Sequence, residues 1–178
     1  MEDFLFVSGS HPEGITYTTY EKIAKAAQLR GFKLILDTSA DFVPDLLKYR
    51  PYLIKPNDEE LAEWFGLINP SLEEIKDCGQ KLLEKGAENV LVSLGEKGAI
   101  LFTPTETIHV TAPKGEVVNT ACAGDTLLAT FVGSQLLGLS NEEALIKAVA
   151  AGSSTAFRPG LTDFSDVPTL MQQIKRIS

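Results

Sequence analysis

Two cysteines and two histidines in 178 residues leave little material for a metal centre or a disulfide framework. Cys78, read onto a surface helix, and Cys122, in a small-residue cradle at the start of another helix, form neither a disulfide framework nor a metal-ligand cluster. Positive charge is also scarce, because 16 Lys and Arg stand against 24 Asp and Glu, for a formal net charge of −8. Such a chain repels phosphate backbones and offers no local basic patch to offset that, so nucleic acid is not an expected partner. No apolar run approaches the length of a membrane span, and Met1-Glu2-Asp3 before a short strand-like stretch does not read as a secretory leader. The expected setting is cytoplasmic, with no membrane partner. With 14 Gly and 9 Pro there is no linker-rich or low-complexity tract. The composition, 44% hydrophobic and 22% charged, is that of an ordinary globular protein, and the length suits a single folded unit over 1–178.

The hydrophobic pattern alternates short strand-like runs with helical ones. Strands are expected at 4–8, 33–36 ending at Asp37, 52–54 ending at Lys55, and 89–93. Between them the spacing predicts helices at 18–30 and 42–49, a helical stretch from Asn57 through Trp64, and an amphipathic helix at 72–85 closed by Gly86. The runs 99–102 and 107–110 read as a more exposed, antiparallel pair. Helices follow at 123–138, 141–157 and 167–174, and Trp64 and Phe131 have the spacing of core residues. This alternation implies an α/β fold, a doubly wound and mainly parallel sheet with helices on both faces. Ligands in such sheets bind beyond the carboxyl ends of the strands, where Ser8, Asp37, Lys55, Asn57, Ser93 and Asp125 are expected.

The segment Asn119-Thr120-Ala121-Cys122-Ala123-Gly124-Asp125-Thr126 places small residues and one carboxylate where an extended run passes into a long apolar helix. The first turn of that helix presents unsatisfied N–H groups and the positive end of its dipole, which suits a phosphate. Ala123 and Gly124 leave room for close approach, and Asp125 can take a proton. An ordinary helix start is the alternative, since Asp and Thr are common caps. In Lys55-Pro56-Asn57-Asp58-Glu59-Glu60, Asn57 and Glu60 have the spacing of a capping box. The same residues suit a phosphate neutralised by Lys55 and an Mg²⁺-bound water held by Asn57 and Glu60, and the two readings are compatible. Ser93-Leu94-Gly95-Glu96-Lys97-Gly98 reads as a turn between strands, or as glycines against which a nucleotide lies with Ser93 donating to it. Gly152-Ser153-Ser154 reads first as a close-packing helix face and second as a wall for adenine.

Ser8-Gly9-Ser10, Leu53-Ile54-Lys55-Pro56-Asn57-Asp58-Glu59-Glu60-Leu61, Val92-Ser93-Leu94-Gly95-Glu96-Lys97-Gly98-Ala99 and the 119–126 segment occur in the order and spacing of ribokinase-like sugar kinases. The chain most resembles their phosphofructokinase-B branch, across essentially its whole length, but it corresponds only to the C-terminal part of such an enzyme. The resemblance implies ATP-dependent phosphorylation of a ketose phosphate hydroxyl, first of fructose 1-phosphate and alternatively of tagatose 6-phosphate. It makes Asp125 the catalytic base, and the amides of Cys122, Ala123, Gly124 and Asp125 the hole for the transferred phosphoryl group. Lys55, Asn57 and Glu60 would serve phosphate and Mg²⁺, Glu60 through water, while Ser93, Gly95 and Gly98 would line the nucleotide.

ATP and Mg²⁺ are therefore the implied cofactors, a sugar phosphate the implied small-molecule partner, and a homo-oligomer is in keeping with the group. The sugar pocket and its lid lie in the N-terminal part of relatives, so the chain alone is expected to have little activity and an exposed sheet edge. Two departures from the pattern are Cys122, where glycine is usual, and His11 after Ser-Gly-Ser. A left-handed backbone at Cys122 would cost ~1 kcal/mol or more. A nucleotide-binding module without chemistry and a purely structural α/β domain are the competing classes.

Overall fold

The computed structural model describes residues 3–9 and 14–177. Ser10 and His11 lie outside the described residues. The elements run β1 (Phe4–Ser8), α1 (Tyr17–Arg30), β2 (Lys33–Asp37), α2 (Val43–Leu46) with a 3-10 turn at Leu47–Tyr49, β3 (Leu53–Ile54), α3 (Asp58–Phe65), α4 (Leu72–Glu84) and β4 (Val90–Ser93). A 3-10 turn at Gly95–Lys97 leads to β5 (Ala99–Phe102) and β6 (Thr107–Val110), followed by α5 (Ala123–Leu136), α6 (Asn141–Ala156), α7 (Val167–Met171) and β7 (Arg176–Ile177). The strands form one mostly parallel seven-stranded sheet whose order across the sheet is the order along the chain. β1 pairs parallel with β2, β2 with β3, and β3 with β4, whereas β6 and β7 are antiparallel. None of the helices among the described residues is long and apolar enough to cross a membrane.

The chain divides into two compact units, Met1–Val92 with Leu101–Thr107, and Ser93–Ile100 with Ile108–Ser178. In the first, α1 stops at Gly31, whose φ of 71° is the left-handed C-cap conformation. α3 and α4 each start with a reciprocal capping box, Asn57 with Glu60 and Ser71 with Glu74. Leu46, Leu53, Ile54, Leu61 and Leu82 fill the core without solvent contact. Gly79 on α4 makes way for the Phe102 ring, since a Cβ there would lie 2.3 Å from it. In the second unit α5 and α6 supply most of the core, with Phe131, Ala144, Leu145 and Ala148 fully buried.

Three sequence expectations are corrected. Cys78 is buried rather than on the surface, because the apolar face of α4 carries it inward with Ile75 and Leu82, and burial raises its thiol pKa. The strands at 99–102 and 107–110 are buried, apart from Thr107. Ala99-Ile100-Leu101-Phe102 has no polar alternation, and all four residues are buried. Trp64 is half-buried, while Phe131 is a core residue as expected.

Candidate functional site

In the second unit α5 begins at a turn rather than at a conventional cap. Asn119 accepts the Ala121 N–H through its side chain at 2.9 Å, forming an Asx turn, and the Ala123 N–H reaches back to the Thr120 carbonyl at 3.2 Å. Cys122, the N-cap, stands at φ 62° and ψ 4°, in the left-handed region, and makes no side-chain cap. The first intrahelical bond is Thr126 N–H to the Cys122 carbonyl, 2.9 Å. Among the described residues, the N–H groups of Cys122, Gly124 and Asp125 have no acceptor, and the Asp125 carboxylate makes no hydrogen bond or ion pair. Asp125 and Cys122 are exposed and Gly124 is half-exposed.

This differs from α3, α4 and α6, whose capping boxes satisfy the N-cap and N3 amides internally. The first turn of α5 therefore offers donors and positive dipole potential to an external anion, beside an ionisable carboxylate. Of the amides expected to form the anion hole, that of Ala123 is already engaged by the Thr120 carbonyl. Those of Cys122, Gly124 and Asp125 are not.

The 93–98 segment is a 3-10 turn and not the simple hairpin turn that its glycines suggest. Lys97 N–H bonds to the Leu94 carbonyl, Gly98 N–H to the Gly95 carbonyl, and Leu94 N–H to the Gly98 carbonyl. Gly98 adopts φ 100°, and a Cβ there would fall 1.9 Å from the Val110 carbonyl oxygen, so packing alone demands glycine at this position. Gly95, at φ 57°, faces open space, and the Ser93 side chain is half-buried.

In the first unit the parallel register of β2 and β3 pairs Leu36 with Ile54, which sets the next residues, Asp37 and Lys55, side by side at the carboxyl ends. Lys55 Nζ lies 3.0 Å from Asp37 Oδ1, with the side chains 7% and 13% exposed. Lys55 is thus an ion-pair member and not a solitary cation awaiting a phosphate. Asn57 and Glu60 form the capping box, with Glu60 N–H to Asn57 Oδ1 at 2.7 Å and Asn57 N–H to Glu60 Oε2 at 2.9 Å. No group of three His, Cys, Asp or Glu side chains that could hold a metal occurs among the described residues. With one Glu60 oxygen already taken, this donor set fits Mg²⁺ held through water on a polyphosphate, and not a protein cage.

Reading the sequence alone missed the polar network at the end of α6. Ser154, with no solvent exposure, bonds Asp166 Oδ1 at 2.5 Å and Thr162 Oγ1 at 2.6 Å. Thr155, 1% exposed, donates to Thr126 Oγ1 at 3.1 Å and accepts the Thr162 N–H at 3.2 Å. Arg158 joins Asp163 at 2.7 Å and Asp166 at 2.9 Å. The Ser165 hydroxyl and amide, with Arg158, hold the Asp163 carboxyl well below the ordinary carboxylate range. Partial burial opposes ionisation of Asp166, yet the Ser154 and Arg158 bonds bring its pKa below the usual value. The only sequence signal for this network was Gly152-Ser153-Ser154, and its first reading applies. A Cβ on Gly152 would lie 3.0 Å from the Ala123 carbonyl and 3.2 Å from Leu127 Cβ, so the glycine lets α6 approach the start of α5.

The family model described as pfkB family carbohydrate kinase matches residues 1–169. A D-tagatose-1-phosphate kinase of Bacillus licheniformis is 50% identical over 173 residues, 97% of this chain and 57% of the relative. A 1-phosphofructokinase of Bacillus subtilis is 38% identical over 173 residues, with the same two coverages, 97% and 57%. Among solved structures, phosphofructokinase-2 from Escherichia coli in complex with substrates and products superposes with a TM-score of 0.87 at 27% identity, covering 97% of this chain and 58% of that one. The chain thus spans somewhat over half the length of the relatives it matches.

Proposed function

The chain belongs to the pfkB family of carbohydrate kinases, and we propose that within a full-length enzyme it binds ATP and transfers the terminal phosphoryl group to a hydroxyl of a ketose 1-phosphate. The observation that carries this reading is the start of α5, where the Cys122, Gly124 and Asp125 amides lack internal acceptors beside the unpaired Asp125 carboxylate. Asp125 takes the proton of the acceptor hydroxyl as its oxygen bonds to the γ-phosphorus, and the bond to the β-phosphate oxygen breaks to leave ADP. The amides hold the equatorial oxygens, which suits a reaction governed by positioning and charge stabilisation. Mg²⁺ would neutralise phosphate charge, held through water on the polyphosphate. Within the second unit, Ser93 and Gly95 of the 93–98 turn would line the nucleotide.

The acceptor class follows the names of the two relatives, both of which place the existing phosphate on carbon 1 and not on carbon 6. The test is turnover of fructose 1-phosphate and tagatose 1-phosphate by the full-length protein that contains this chain. Asp125→Asn should lower kcat by about 10³-fold with little change in the KM for ATP. Unchanged turnover would remove Asp125 as the base, and no turnover of either sugar would remove the ketose 1-phosphate class. A second reading, nucleotide binding without transfer, is favoured by the side chain of Cys122 standing at a left-handed position in the cradle. Calorimetric binding of Mg-ATP without sugar phosphorylation in the full-length protein would select it.

A further inference from the structure

The last turn of α6 touches the 119–126 segment from both sides. On the entering side the Ala156 carbonyl accepts the N–H groups of Val118, at 2.8 Å, and Asn119, at 3.1 Å. On the leaving side the Thr155 hydroxyl donates to Thr126, the residue after Asp125. One turn earlier, Gly152 allows α6 against the Ala123 carbonyl. The segment between these anchors is largely exposed and is held otherwise by the Ala121 to Asn119, Ala123 to Thr120 and Thr126 to Cys122 bonds and by the Asn119 side chain donating to the Pro159 carbonyl at 3.5 Å. Its geometry is therefore set from α6.

The same Thr155 hydroxyl also faces the 158–166 loop, where it accepts the Thr162 N–H, and Ser154 beside it ties Thr162 and Asp166 to the helix. A hydroxyl both donates and accepts, so Thr155 can serve the two partners at once, which neither a methyl nor an acceptor-only group can do. We propose that Thr155 is a positioning residue that couples the 158–166 loop to the first turn of α5 and fixes the direction of the Gly124 and Asp125 amides toward a bound phosphate. This rests on the phosphate-binding reading of α5 given above. The coupling runs through the buried Thr155 hydroxyl beside a longer direct contact of the Asn119 side chain with the Pro159 carbonyl, so an anion seated on α5 orders the 158–166 loop, and displacement of that loop loosens the seat.

Thr155→Val keeps the shape and removes both bonds, whereas Thr155→Ser keeps the hydroxyl. Amide hydrogen exchange and calorimetric binding of Mg-ATP on the full chain read the difference. In Thr155→Val the Ala123 and Thr126 amides, bonded to the Thr120 and Cys122 carbonyls, should exchange about tenfold faster and Mg-ATP should bind about tenfold more weakly, with Thr155→Ser close to the parent in both. Equal exchange and affinity in Thr155→Val, or a Thr155→Ser variant as impaired as Thr155→Val, would overturn the proposal. If the parent itself binds no Mg-ATP, the phosphate-binding reading fails. In that case the exchange rates alone decide whether Thr155 orders the turn, and rates unchanged in Thr155→Val would overturn that as well.

Discussion

Asp37 Oδ1 and Lys55 Nζ meet at 3.0 Å across the parallel strands β2 and β3, in a site where Lys55 is almost wholly enclosed. The pairing follows from register, because Leu36 lies opposite Ile54 and each charged residue is the next in its strand. Removing either residue takes a close counter-charge from the other in a largely enclosed setting. Asp37→Asn and Lys55→Met should each lower stability by about 3 kcal/mol, and the double variant by less than the sum. Urea unfolding of the four proteins checks this, and strict additivity would show that the two charges are not coupled.

Cys122 carries a side chain at φ 62°, where L-residues are strained. Cys122→Gly relieves roughly 1–2 kcal/mol of left-handed strain against a smaller entropic cost in the unfolded chain, for a net gain of about 0.5 kcal/mol or more. Cys122→Val, branched at Cβ, should lose stability. Thermal melts of the two variants should shift in opposite directions, and shifts of the same sign would contradict the strain argument.

Gly152 and Gly98 respond differently to a methyl group. At Gly152 a Cβ would sit 3.0 Å from the Ala123 carbonyl, so Gly152→Ala requires a shift of a few tenths of an ångström, and Gly152→Leu should cost about 1–3 kcal/mol through overpacking. At Gly98 a Cβ would fall 1.9 Å from a backbone oxygen in a left-handed conformation, so even Gly98→Ala should destabilise strongly. Chemical unfolding should rank Gly98→Ala well below Gly152→Ala, and a reversed order would be the contrary result.

Glu21 on α1 accepts the Tyr49 hydroxyl at 2.7 Å and the Tyr17 hydroxyl at 3.0 Å, with Lys48 and Lys25 at 3.3 and 3.4 Å. The Tyr49 bond first, then that of Tyr17 and the two lysines, lower its pKa from 4.5 to about 2. The folded pKa is the depressed one, so the contribution is complete above about pH 4.5 and fades as the pH falls toward 2. Glu21→Gln should be less stable at neutral pH and lose less between pH 5 and about 2. Urea midpoints measured across that range check it, and parallel profiles for the two proteins would remove Glu21 from the acid response.

Where strand and helix periodicity was clean, the sequence was legible. β1, β2, β5 and β6 fall where alternation and apolar runs put them, and the capping box at Asn57 and Glu60 was written in its spacing. The four-residue strands β5 and β6 were misjudged for exposure because short apolar runs carry no alternation to tell one buried face from two. The start of α5 was legible because small residues and a carboxylate precede an apolar helix. The partners that hold it were not. Thr155 bonds Thr126 across 29 positions and Asp166 bonds Ser154 across 12, and hydrogen bonds between residues so separated leave no local periodicity. The Asp37 to Lys55 pair was hidden for the same reason, since only the strand register brings the two together.

A sheet laid down in chain order has a kinetic corollary. Each strand from β2 to β6 finds its neighbour already made, so loop closures stay short and assembly can follow the ribosome. The exception is β7, whose Arg176 and Ile177 return to Val110 and His109 after the intervening helices. That closure is the long one, since α5, α6 and α7 lie between the two strands.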